Sequence, residues 1–253
     1  MKLGISIITI LLITFSSCRI RNESTRDEIQ HPDIDSTKLY SLWDLYTVKL
    51  YRDLQSAQKE PEQVIKLALY RQNLRSVPEG IEQFTYMNSF HVTGNQISEL
   101  PESIGQLQYL QSLHLGDNEF SSFPEVLFDC PQLRKLVLDD NQLTVIPKRI
   151  GEMHKLESLE ITGNQISSIP RQLYELENLK VLAFEENHIK KVPPGIERLE
   201  SLTTLNLMKN DITQLPESIV EMKLKRLSLS GNPMTEKYIE ELILKMPDTK
   251  IEF

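Results

Sequence analysis

The chain has 253 residues, with 28 Lys and Arg against 36 Asp and Glu, and a formal net charge of −8 at pH 7. An acidic balance of this size argues against nucleic acid as a partner, because phosphate binding calls for clustered Lys and Arg. Two cysteines in so long a chain exclude a disulfide framework.

Lys2 precedes an apolar stretch over residues 3–15 that ends Phe15-Ser16-Ser17-Cys18. That length suits a signal peptide and falls short of the roughly 20 apolar residues of a membrane-spanning helix. A bulky Phe15 disfavours ordinary signal peptidase, which takes a small residue at that place. Bulky, small, small, cysteine instead resembles the lipobox of bacterial lipoproteins, with Phe15 where leucine is usual and Arg19 and Arg21 following. The resemblance implies a signal peptide over residues 1–17 and a lipidated Cys18, anchoring the chain in the cell envelope on the outer membrane or a periplasmic face. An uncleaved anchor and a misassigned start codon are the alternatives. Residues 18–35 are polar, charged and aperiodic, and are expected to form a flexible tether. With Cys18 lipidated, Cys130 stands alone.

Leu39, Leu42, Trp43, Tyr46, Leu50 and Leu54 follow at steps that suit one helix face. They predict an amphipathic capping helix of about 20 residues within residues 36–63, ended by Glu60-Pro61, with Trp43 expected to pack inside the cap and an interface anchor as the alternative.

Beyond it, Pro78, Pro101, Pro124, Pro147, Pro170, Pro193 and Pro216 recur every 23 residues. Asn95, Asn118, Asn141, Asn164, Asn187, Asn210 and Asn232 keep step with them, Gln72 taking the place of the first. The unit reads LxxLxLxxNxLxxLPxxIxxLxx, in eight copies over residues 64–234, the last truncated. One step is a residue short, Asn210 to Asn232, which predicts a tighter convex turn near residues 221–224. In LxL both leucines point to one side of a short strand, so stacked units form a parallel sheet over a continuous core. An asparagine after each strand has both a donor and an acceptor for buried backbone groups at the turn. Cys130 occupies a leucine column and reads as a core residue.

This pattern resembles the leucine-rich repeat family in its short, Leu-Pro class, and more narrowly the bacterial lipoprotein members. The resemblance implies an α/β solenoid: a right-handed horseshoe with a parallel concave sheet and helical caps at both ends. At the C-terminus, residues 235–253, Thr235 is expected to cap a helix whose Ile239, Leu242, Ile243 and Met246 share one face. Pro247 stops it, and residues 250–253 alternate like a final strand. The chain is expected to be complete, with no second domain.

Members of the family generally bind partners on the concave face, which implies a non-enzymatic binding module for a protein or peptide. The outward columns place His91, His114, Asp117, Asp139, Asp140, Glu160, Glu185, Glu186 and Lys209 there. The acidic members fall on adjacent coils and would favour a basic partner. His91 beside His114, with Asp117 and Asp139 nearby, could hold a divalent ion or titrate between about pH 6 and 7. No cofactor, metal or catalytic residue is expected, because no phosphate loop, HExxH, CxxC or nucleophile elbow is present. The rivals are a cytosolic regulator of signalling proteins, if residues 1–18 are no signal, a structural envelope protein, and an enzyme built on the two histidines.

Overall fold

The computed structural model describes residues 39–253; the expected signal peptide, Cys18 and the tether over residues 18–35 lie outside them. In chain order the elements are β1 (Leu50–Tyr51), α1 (Leu54–Ala57), β2 (Lys66–Ala68), β3 (Ser89–His91), β4 (Ser112–His114), β5 (Lys135–Val137), β6 (Ser158–Glu160), β7 (Val181–Ala183), β8 (Thr204–Asn206), β9 (Arg226–Ser228), α2 (Glu236–Lys245) and β10 (Lys250–Glu252). The LxL triplets form β2 to β9, and each strand pairs in parallel with its neighbour in sequence, giving one ten-stranded sheet. The register advances by one repeat unit at each step, with Leu67 opposite Phe90, Phe90 opposite Leu113 and Leu136 opposite Leu159. Leu113, Leu115, Leu136, Leu138, Leu159 and Ile161 are fully buried behind the sheet. Each such side chain contributes about 1.5–3 kcal/mol of transfer free energy. The chain returns along the convex side through short 3-10 turns such as Glu102–Gln106 and Lys148–Glu152, which add Ile104 and Ile150 to the same core. Cys130 lies in this core; burial, with a smaller push from Asp129, raises its thiol to about 12 and leaves it an inert hydrophobe.

The asparagines fasten one coil to the coil before it. Asn141 Nδ2 donates to the carbonyls of Leu115, Leu138 and Asp139 at 3.1, 3.1 and 3.0 Å, and its Oδ1 accepts from Phe120 N–H at 3.0 Å. One unit on, Asn164 donates to Leu138 and Thr162 and accepts from Leu143 N–H at 2.9 Å. Equivalent places in the sequence therefore have equivalent surroundings. The short step between Asn210 and Asn232 is absorbed at the predicted place, but by loss of a turn rather than by a tighter one. In six coils, backbone N–H groups such as Leu179 and Leu202 close a turn onto the carbonyl three residues earlier, at 3.0 Å in both. At Met222 that bond is absent among the described residues, and ψ is 142° where Leu176 and Leu199 have 72° and 66°.

The continuous helix expected over residues 36–63 does not form. A 3-10 turn, Asp44–Tyr46, is followed by β1, the one-turn α1 and a second 3-10 turn, Pro61–Gln63. The cause lies in the edge of the sheet. The backbone of β2 presents unpaired donors and acceptors at the end of the array, which a strand satisfies and a helix cannot. β1 pairs with β2, Tyr51 opposite Leu67, and Tyr51 and Ala57 close the core. Trp43 and Tyr46 are thereby left 79% and 78% exposed, so Trp43 does not pack inside a cap. At the other end Thr235 accepts from Tyr238 N–H at the start of α2, which buries Ile239, Leu242 and Met246, while Ile243 is 40% exposed rather than on the buried face. β10 then adds to β9.

Candidate binding face

In each strand the first and third residues point away from the core, so two side-chain columns line the open face. One reads Ala68, His91, His114, Val137, Glu160, Ala183, Asn206 and Ser228; the other reads Lys66, Ser89, Ser112, Lys135, Ser158, Val181, Thr204 and Arg226. The second column was not recognised as a face from the sequence. The two-residue period of any strand was the signal that could have found it.

His91 and His114 stack, with ring centroids 3.9 Å apart and planes at 9°. His91 Nε2 hydrogen-bonds with Ser89 Oγ at 2.8 Å and its Nδ1 with Tyr70 Oη at 3.0 Å, while His114 Nε2 meets Ser112 Oγ at 3.1 Å. Each ring nitrogen nearest the strand is thus taken by a serine of its own coil, and the pair does not converge on a common point. Among the described residues no group of three His, Cys, Asp or Glu is placed to hold a metal ion. Burial lowers His91 to about 3, with His114, Lys66 and Lys135 adding repulsion. Burial likewise lowers His114 to about 4, with Lys135 and Lys66 adding to it. The expected titration between about pH 6 and 7 is therefore corrected: both rings are neutral well below that range.

The acidic residues are largely matched within the chain. Glu160 sits 2.8 Å from Lys135 Nζ and accepts from Ser158 Oγ at 2.9 Å. Lys209 Nζ lies 3.2 Å from both Glu185 and Glu186. Asp139 accepts from Thr162 N–H at 2.7 Å, yet burial outweighs that bond and pushes its carboxyl up to about 6. Asp117, Asp140, Glu186 and Lys209 stand in the turn after each strand, with φ of 53°, 52°, 58° and 50°. This is the left-handed region, which aspartate tolerates better than most residues. Gly163 holds the same place one coil after Asp140, with φ of 64°, and a Cβ there would strike the Asp140 carboxylate. Asp117 and Asp140 thus lie on the rim of the face, and with Asp139 the patch has three carboxylates lacking a lysine partner among the described residues.

The N-terminal segment bends over the other end of the face. Tyr40 N–H donates to Asn88 Oδ1 at 3.2 Å, and Gln111 Nε2 donates to the Tyr40 carbonyl at 2.7 Å. A lateral chain of polar side chains continues from there, Gln111 to Asn88 at 2.6 Å, Arg134 to Gln111 at 3.2 Å, Arg134 to Glu157, and Lys180 to Glu157 at 2.7 Å. Lys66 Nζ donates to the Leu45 carbonyl at 3.2 Å. These bonds hold Trp43 and Tyr46 beside the face, enclosing an open cleft of about 680 Å³ that reaches from β2 to β7. Its floor is Ser89, Ser112, His91 and His114.

The leucine rich repeat family profile matches residues 85–143, 131–189 and 177–234. Among solved structures, a leucine-rich repeat protein of Leptospira interrogans is 30% identical, with a TM-score of 0.64, covering 74% of this chain and 54% of that one. The plant peptide hormone receptor RGFR1, in complex with RGF2, is 30% identical with a TM-score of 0.60, covering 73% and 31%. An internalin from Listeria monocytogenes has the same fold, with a TM-score of 0.67 at 22% identity over 81% and 66%. The chain thus spans about half the length of the Leptospira protein. No curated protein sequence matches it. Tandem profile matches across more than half of the residues coincide with a sheet in which every coil repeats the last. The chain belongs to the leucine-rich repeat family.

Proposed function

We propose that this protein is a binding module, lipid-anchored through Cys18 in the bacterial envelope, that takes a protein or peptide partner on its concave face. The observation that carries the reading is the cleft along β2 to β7, where Trp43, Tyr46 and Tyr70 are exposed and Lys66, His91, His114 and Lys135 are half-buried, none of them part of the hydrophobic core. Scaffold positions such as Asn141 are filled by backbone contacts, so these columns vary without cost to the fold. Members of the family are typically non-enzymatic binding modules. The plant neighbour is a peptide hormone receptor in complex with RGF2, which supports a peptide or protein as the class of ligand. Asp117, Asp139 and Asp140 supply the acidic character that would draw basic side chains of such a partner, chiefly through association rate.

A photo-crosslinking residue at Thr93, on the face, is expected to capture a partner in the native bacterium, whereas the same residue at Gln172, on the convex side, is expected to capture none. Equal capture from both positions, or none from Thr93, overturns the concave-face reading. The anchor has its own check. Mass spectrometry of the native N-terminus is expected to find an acylated Cys18; an intact Met1 contradicts export and favours the cytosolic alternative.

A further inference from the structure

The cleft differs in charge from the molecule that carries it. In a chain of net charge −8, three lysines line it, Lys66, Lys135 and Lys180, against two glutamates, Glu157 and Glu160. Both glutamates are already engaged, Glu160 by Lys135 and Glu157 by Arg134 and Lys180. Lys66 is the cation left over: among the described residues it takes part in no ion pair, and its ammonium is held by the Leu45 carbonyl and lies 5.5 Å from the Tyr46 ring centroid. Partial burial lowers its pKa, so an arriving carboxylate would restore what solvent no longer supplies.

Size and shape narrow the ligand. Lys66, Ser89, Ser112 and Lys135 occupy one row on successive strands. Three strand steps of about 4.8 Å separate the ends of that row by about 14 Å. A single small anion cannot meet both ends, whereas about four residues of extended chain span that length. One wall is aromatic, with Trp43 and Tyr46 6.0 Å apart by centroid and mostly exposed, the residue types that anchor peptide side chains. The histidine pair on the floor is uncharged at neutral pH, so it neither repels nor neutralises an anion.

We propose that this cleft binds an extended acidic segment of the partner, one carboxylate meeting Lys66 and a neighbouring apolar side chain lying on Trp43 and Tyr46. The assignment rests on the concave-face reading above and adds the chemistry of the ligand at one end of that face. It is compatible with basic groups meeting the Asp117 and Asp140 rim, because the cleft is lined by strand positions, whereas those carboxylates stand in the turns that follow β4 and β5.

Trp43 is the one tryptophan of the chain and lines the cleft, so its emission reports occupancy directly. The full chain in detergent is titrated with acetyl-Glu-Phe-Glu-Phe-amide, with its Gln and Lys counterparts, and with N-acetylglutamate. The acidic peptide is expected to shift the emission to the blue saturably and to bind about tenfold more tightly than the Gln peptide, the size of one charge-assisted contact. Lys66→Gln is expected to erase that preference while leaving the Gln peptide unchanged, and N-acetylglutamate is expected to give no saturable shift. Equal or tighter binding of the Gln or Lys peptide overturns the inference. So does N-acetylglutamate binding as tightly as the peptide, which would mark a small-carboxylate pocket instead. Failure of the acidic peptide with capture from Thr93 intact removes only the acidic segment, whereas loss of capture from Thr93 removes the binding face itself.

Discussion

Between about pH 7 and pH 4.5 the protein is expected to lose about 3–5 kcal/mol of stability through two side chains, and a His91→Gln, His114→Gln variant to lose little of it. Both rings have folded values below the ordinary 6.5, at about 3 and about 4. An unfolded chain therefore binds protons on these rings at a pH where the native state does not. Stability is whole above about pH 6.5 and declines as the pH falls toward the folded values. The groups that face the rings do not soften this: Lys66 and Lys135 repel a proton there, and Ser89, Ser112 and Tyr70 are neutral. Asp139 acts in the opposite sense. Its folded value, about 6, lies above the ordinary aspartate, so protonation favours the native state as the pH falls through 6. With allowance for the part of that carboxyl that meets water, it returns about 1 kcal/mol. Urea midpoints followed by far-UV circular dichroism across this range are the check. An acid decline of the same size in the double variant would remove the histidine explanation.

Asn141→Ala is expected to destabilise the array by about 3–4 kcal/mol, and Asn232→Ala by about half as much. The lost amide makes four hydrogen bonds, but they are not equal. The Leu115 carbonyl keeps a bond from Asn118, the Leu138 carbonyl one from Asn164, and the Asp139 carbonyl one from Asp117 N–H. Phe120 N–H, however, has Asn141 Oδ1 as its acceptor, in a buried turn. Leaving that donor orphaned costs about 1–3 kcal/mol, and the small cavity and weakened carbonyl bonds add the rest. Asn232, serving Ile212 N–H, is only partly buried, so water can replace it. Equal losses at the two sites in thermal or urea unfolding would show that the effect is not burial of an unpaired amide.

The repeat region was legible because each column of the sequence maps to one environment. Leucine at Leu136 and Leu159, and asparagine at Asn141 and Asn164, meet the same neighbours one coil apart, and a one-residue deletion is visible as a changed ψ at Met222. The N-terminal cap was not legible. Leu39, Leu42, Trp43, Tyr46, Leu50 and Leu54 have helical spacing, but the exposed edge of β2 is a property of the assembled sheet, absent from any local window. The same holds for the candidate site. His91 and His114 were visible as neighbours, whereas the Trp43 wall depends on Tyr40 reaching Gln111, 71 residues away. The serine and lysine row was hidden for a simpler reason: Lys66, Ser89, Ser112, Lys135, Ser158 and Val181 share no single chemical character that marks them as one column. Glu185 and Glu186 read as an open acidic surface because they share their columns with other acids, whereas Lys209 answers them from the next coil.

The asparagine clamps have a direction. Asn118 holds Ile97, Asn141 holds Phe120, Asn164 holds Leu143, and so on to Asn232, which holds Ile212. Every turn is latched by the turn that follows it and by none that precedes it. A chain emerging N-terminus first therefore cannot lock any loop of the spiral until one more loop has been made. The last loop is locked only by the terminal helix and strand, so shortening the protein from its C-terminal end unlatches the spiral one loop at a time, whereas trimming the opposite end leaves every remaining latch engaged.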